Sequence, residues 1–308
     1  MDQNERALLE KTVLDTLSSD GGADADDALG ELGWPEMLAD EPSDAVTVVF
    51  RALGATNRAA SVLDDVVLSA LGLEPSAHVA IVLPPFGESV PPAPGGIGLA
   101  TARAARASEV LVVAEHTLTR VASSACTVQA VRGIDPGAGL HRVEIGADGN
   151  TTALDASTWA DALASGRVAI AHQILGASRV MLELARTHAL ERIQFDRPIA
   201  SFQAVRHRLA ETLVAIEGLE ASLDAAGDAP GTMTAALAKA VAGATAKTVA
   251  VHCQQVLAGI GFTTDHPFHA YLKRTMVLDG LLGSSEQITV ELGRTLLEGR
   301  EVPALVEL

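Results

Sequence analysis

The stretch Arg167–Glu211, RVAIAHQILGASRVMLELARTHALERIQFDRPIASFQAVRHRLAE, decides how this chain folds. Val168, Ile170, Ile174, Leu175, Val180, Met181, Leu184 and Ala185 recur at helical spacing, which predicts a long amphipathic helix. Pro198 cannot continue that helix, and a second one is predicted from near Ser201 past Leu213. Between them stands a basic and aromatic knot, Arg192, Phe195 and Arg197, followed by Phe202-Gln203. Helical spacing puts Arg192 and Phe195 one turn apart, facing one ligand. Two cations, a ring and an amide at a helix–helix corner suit an anion with a flat or apolar part. Gln255 and Gly259 are also about one turn apart, and the missing side chain would let a ligand approach the backbone. Taken singly, each of these is equally a surface Arg or a helix-packing Gly.

Composition sets the limits around that stretch. The 308 residues are 48% hydrophobic and only 3% aromatic, which favours helices packed through small side chains. A net charge of −17 argues against nucleic acid and anionic membrane surfaces, so an anionic ligand needs a local basic cluster. Arg192 to Arg208 supplies one. Cys126 and Cys253 form neither a disulfide framework nor a metal-ligand spacing, and no histidine pair makes a metal site. The acidic N-terminus shows no signal peptide, and no apolar run is expected to span a bilayer. A soluble protein in a reduced cytoplasmic setting is therefore expected.

Along the chain, Asp2–Leu17 reads as a helix and Ser18–Asp27 as a solvated acidic loop. Pro42–Ala59 and Ala60–Leu73 add two more helices. Strands are predicted at Val79–Leu83, Glu109–Ala114, Val128–Val131 and Leu140–Ile145, with a Pro- and Gly-rich loop over Pro84–Gly98. Thr234–Leu257, Tyr271–Leu282 and Glu286–Leu297 complete a helical C-terminal part.

The run from Ala189 to Glu211 resembles the helical corner of the flavin-dependent acyl-CoA dehydrogenases, where Arg-x-x-Phe-Gly precedes Pro-Ile and Phe-Gln. Gln255-Val-Leu-Ala-Gly259-Ile-Gly261, with His266-Pro267 behind it, is similar to that family's Gln-x-x-Gly-Gly-x-Gly segment. Glu31-Leu-Gly-Trp34 resembles a third, shorter one. The resemblance implies a mostly α fold with a small middle β domain. Its parts would be N-terminal helices over 1–77, a reduced β domain over 78–155 and a C-terminal four-helix bundle over 156–308.

The same resemblance implies that Arg192, Phe195, Gln203, Gln255 and Gly259 hold the adenosine-diphosphate half of FAD bound mainly by an adjacent subunit. The family's ring-holding Thr-Glu-Pro-x-x-Gly-Ser loop is not found, and Pro85-Phe-Gly-Glu-Ser89 is only its nearest substitute. The usual catalytic Glu position falls on Leu282, and the alternative position before the substrate-side Arg falls on Gly166. Neither takes a proton, which leaves Asp279 as a weak substitute base. Ser284 matches a flavin-contacting Thr, and Arg167 keeps the substrate-side Arg without its acidic partner, replaced by Ala164.

These features imply a degenerate subunit that closes the FAD site of a catalytic partner in an α2β2 acyl-CoA dehydrogenase, resembling those acting on steroid side-chain thioesters. The alternatives are a self-sufficient homo-oligomer using Asp279 and a flavin-free scaffold. The acyl group, the partner and the electron acceptor stay open.

Overall fold

The computed structural model describes residues 3–19, 24–114, 116–155 and 157–299. Part of the acidic 18–27 segment and the tail after Gly299 lie outside the described residues. Helices α1 (Gln3–Ser18), α2 (Ala25–Glu31), α3 (Trp34–Asp40), α4 (Pro42–Thr56) and α5 (Val62–Ala70) come first. Local chemistry sets their ends: the Asp24 carboxylate caps α2, Pro42 opens α4, and Asn57 closes it in the left-handed conformation.

The period then switches to two. Strand β1 (Val79–Ile81) pairs in parallel with β3 (Glu109–Ala114), which pairs antiparallel with β4 (Thr117–Ala122), and β4 with β7 (Asn150–Ala153). A second antiparallel sheet runs β2 (Ile97–Ala100), β6 (His141–Glu144), β5 (Thr127–Ala130). Alternation divides β3 between two cores. Val110 and Val112 join Ala80, Val82 and Val143 in a core of their own, whereas Leu111 and Val113 face the main helical core. Strands β2, β4 and β7 were absent from the sequence reading.

The C-terminal half is helical: α6 (Thr158–Glu191), α7 (Gln203–Asp228), α8 (Thr232–Leu257), α9 (Phe268–Asp279) and α10 (Ser285–Gly299). The whole is mostly α with a small β portion in its middle. The 34 residues of α6 make a rod about 50 Å long that packs on α4, α5, α7, α8 and α9. By length and composition α6 is apolar enough to cross a membrane, contrary to the expectation that no run is. Two thirds of its apolar window (67%) is buried inside the protein, as in a core helix.

The α4–α6 seam depends on two glycines. A Cβ on Gly54 would land inside the carbonyl oxygen of Gln173, and one on Gly176 inside that of Arg51. Backbone cannot yield there as a flexible side chain could. A buried ionic cluster ties α5 to the β portion. Arg103 forks onto both oxygens of Asp65, Trp34 Nε1 donates to Asp65 Oδ2 at 3.0 Å, and Thr101 Oγ1 donates to Asp64 Oδ2 at 2.6 Å. Burial drives the Asp64 carboxyl up to about 7, against the pull of the Arg103 charge 3.6 Å away.

Three outcomes follow for stability. Gly176→Ala is expected to cost about 1–3 kcal/mol in urea unfolding, because the seam must open. Gly218→Ala, on α7 with nothing within 4 Å of its new methyl, is expected to gain about 0.5–1 kcal/mol. Asp65→Ala leaves the buried Arg103 without its forked partner and is expected to cost about 3–5 kcal/mol in the same assay.

Candidate functional site

The basic and aromatic knot is a β-hairpin. Helix α6 ends at Glu191, earlier than Pro198, and β8 (Ile193–Gln194) pairs with β9 (Arg197–Pro198) across a two-residue turn. Phe195 (φ +52°) and Asp196 (φ +60°) both lie in the left-handed region that such a turn requires. Arg192 and Phe195 are therefore not one helical turn apart: Arg192 starts the hairpin and Phe195 stands at its tip, 84% exposed. The Phe195 ring meets Phe202 edge-on at 6.1 Å, and the Arg197 guanidinium lies 4.3 Å over the same Phe202 ring.

The second block reaches the same end of the bundle. Thr212 Oγ1 lies 3.3 Å from His252 Nδ1, and Thr245 Oγ1 donates to the Ala215 carbonyl at 3.1 Å. Helices α7 and α8 thus run antiparallel, and extending that register sets Gln203, the first residue of α7, level with Gly259 just past α8. His188 in the last turn of α6 is held below its usual value, mainly by burial, then by the charges of His266 and Arg192. The side chains of Arg192, Gln203 and Gln255 are exposed and make no hydrogen bond to another described residue. Gly259 faces open space. Free donors, an exposed ring and bare backbone can receive an anion carrying a flat group.

The turn joining α9 to α10 is built differently. Leu282 adopts φ +57° and is buried, with its Cδ1 2.5 Å from where a Gly166 Cβ would stand, beside Val67 and Leu63. The two positions that could carry a base are thus in contact, and the Leu282 side chain fills the gap. Arg167 is buried as well: Nε donates to the Leu282 carbonyl at 2.9 Å and Nη2 to Ser89 Oγ at 2.8 Å. Burial lowers its pKa, with Glu291 opposing.

Asp279 accepts from the Ser285 amide (3.1 Å) and hydroxyl (3.2 Å) and lies near the ammonium groups of Lys239 (3.9 Å) and Lys247 (3.4 Å). Both of its carboxylate oxygens are thus engaged by Ser285. Ser284 accepts from the Gln287 amide, 3.2 Å away, as the cap of α10, and borders a shallow groove of about 370 Å³ with Glu286 and Arg294.

Sequence reasoning missed three features. Lys239 Nζ, fully buried, donates to the carbonyls of Asp279 (2.7 Å) and Gly283 (2.9 Å). Phe86 lays its ring on Gly280, where a Cβ would collide with ring carbons. A cavity of about 820 Å³ opens between α1, α4, α5, α6 and the α7–α8 turn, with His172, Arg51 and Thr47 among its lining residues. There Arg51 Nε donates to His172 Nδ1 at 3.2 Å, so Nε2 carries the proton toward Thr47 Oγ1. Burial and then the Arg51 and Arg6 charges push this imidazole down to about 3, keeping it neutral. Among the described residues no group of three metal-ligating side chains comes together.

Comparison with known proteins adds the relationship. Residues 157–297 match the family model described as acyl-CoA dehydrogenase, C-terminal domain. Acyl-CoA dehydrogenase FadE34 of Mycobacterium tuberculosis is 37% identical over 123 residues, 38% of this chain and 17% of FadE34. The chain spans under half the length of the curated relatives it matches first. The crystal structure of the ChsE4-ChsE5 complex from Mycobacterium tuberculosis covers 98% of both chains with a TM-score of 0.77 at 24% identity. The Tcur3481-Tcur3483 steroid ACAD, in a variant form, covers 96% of this chain and 98% of its own with a TM-score of 0.80 at 20% identity. At those identities the likeness shows a shared fold. Residues 157–297 thus carry the match to the acyl-CoA dehydrogenase C-terminal domain, and the whole chain shares the fold of the solved structures.

Proposed function

We propose that this chain is the non-catalytic subunit of a heteromeric, FAD-dependent acyl-CoA dehydrogenase, completing the flavin site of a catalytic partner in an α2β2 assembly. The observation that carries this reading is the Leu282–Gly166 contact, which fills with hydrocarbon the space beside both base positions. Asp279 does not replace the base, because its oxygens are held by Ser285 and flanked by two lysines. A heteromeric complex and a steroid ACAD among chains of this fold support the partnered form and a steroid side-chain thioester as substrate of the complex. A cytoplasmic setting goes with that role.

The hairpin end fits the adenosine-diphosphate half of FAD. Arg192 would pair with the pyrophosphate, Phe195 would cover a flat group, and the amides of Gln203 and Gln255 would orient it. Gly259 leaves room for the ligand against bare backbone. Ser284 keeps a hydroxyl at the start of α10, engaged as a cap. The chemistry that the flavin supplies when bound is acceptance of a hydride from the acyl β-carbon, once the partner's carboxylate has taken the α-proton. This chain's own residues bind and orient. Arg167, spent on Leu282 and Ser89, serves the fold and not the substrate.

An absorbance spectrum tests the reading. Flavin bands are expected only when the chain is co-expressed with its catalytic partner, near one flavin per heterodimer. Flavin retained by the chain alone would favour a homo-oligomer, and flavin missing from the complex would favour a scaffold. Arg192→Ala removes one charge-assisted contact, so the complex is expected to hold flavin about 10- to 100-fold more weakly by equilibrium dialysis. Unchanged retention would overturn the assignment of Arg192.

A further inference from the structure

The loop before β2 crosses onto the α9–α10 turn and is fastened there at several points. The Gly87 amide donates to the Gly280 carbonyl at 2.7 Å, and the Ser284 amide donates back to the Gly87 carbonyl at 3.3 Å. Ser89 Oγ receives Arg167 Nη2, whose Nε holds the Leu282 carbonyl. Between these fastenings the Phe86 ring lies on Gly280, the one residue type whose surface there is flat enough to seat it. Yet the ring is 59% exposed, so it covers this floor without belonging to the main core. A planar group thus covers a side-chain-free floor between a loop and a turn.

We infer that Phe86 is an internal occupant of a flat-ring slot between the β portion and the α9–α10 turn, closing it to planar heteroaromatic ligands. The hairpin site at the other block can hold the diphosphate end of a cofactor, but no ring enters this chain's own slot while Phe86 is seated. Arg167 acts as a positioning residue, because it fixes the turn and the loop in register. The inference does not need the partnered reading to hold. A ring lacking any diphosphate arm probes the slot alone, whereas FAD content of the complex probes the hairpin end.

The experiment is titration of lumiflavin, a neutral flavin ring without ribityl or phosphate, into the isolated full chain, followed by quenching of its fluorescence. Wild type is expected to give no saturable quenching. Phe86→Gly is expected to give saturable quenching with affinity raised by about tenfold or more, since stacking on an exposed floor is regained. Phe86→Trp, which refills the slot, is expected to behave as wild type. Equal binding by wild type and Phe86→Gly overturns the inference, as does absence of binding by a Phe86→Gly chain whose melting temperature is unchanged. Should Phe86→Gly fail to fold, Gly280→Ala provides the second reading. Its methyl unseats the ring, so chymotrypsin is expected to cut after Phe86 several-fold faster than in wild type. An unchanged cutting rate in that variant counts against the slot.

Discussion

Helix α9 ends inside the protein, and the carbonyl oxygens it leaves unpaired must be met by donors that bulk water does not supply. Lys239 meets those of Asp279 and Gly283, Arg167 that of Leu282, and the Gly87 amide that of Gly280. Two buried cations at the negative end of a helix are electrostatically favourable, which offsets part of the cost of removing them from water. Because Lys239 comes from α8, Arg167 from α6 and Gly87 from the β portion, this one turn ties α6, α8, α9 and α10 to the middle of the chain. The geometry of the α9–α10 turn is set by how these oxygens are held.

The same turn closes its own interior with hydrocarbon. A base needs a side chain aimed into a cleft with room for substrate. Leu282 takes the left-handed conformation and packs its methyls against Gly166, so both positions become part of the core. Burying a leucine there is worth about 2 kcal/mol relative to leaving it exposed, which stabilises the turn. The hairpin end follows the opposite logic. Its donors and the Phe195 ring are left in solvent, where they contribute little to stability and remain free to bind.

Much of the fold was legible in sequence: the apolar spacing of α6 marked a long helix, and the ends of β3 and α8 fall close to those expected. What was not legible has particular causes. β7, Asn-Thr-Thr-Ala, is exposed along its length and has no hydrophobic face to announce it. The hairpin turn Phe195-Asp196 lacks glycine, so the break in α6 was assigned to the proline that follows. Lys239 lies within an alanine-rich helix and was not singled out. Its place on the buried stripe with Ala235, Ala242 and Ala246 was the available signal. Arg192, Phe195, Gln203, Gln255 and Gly259 were singled out by pattern alone. The contacts of Phe86, 194 residues before Gly280, left no local trace.

The buried charges also give the protein an unusual proton balance. Asp64 keeps its proton up to about pH 7 when folded but releases it near 3.8 when unfolded, so the folded state binds more protons across that interval. Its contribution to stability is therefore full in acid and is lost as pH rises through 7. Lys239 does the reverse: folded it releases its proton near 7, unfolded near 10.5, so its contribution climbs with pH between those values. Summed, the two groups place the low point of their joint contribution near neutrality, where most proteins are at their firmest. Such a chain has the most to gain, at the pH of a cell, from anything that binds its folded form.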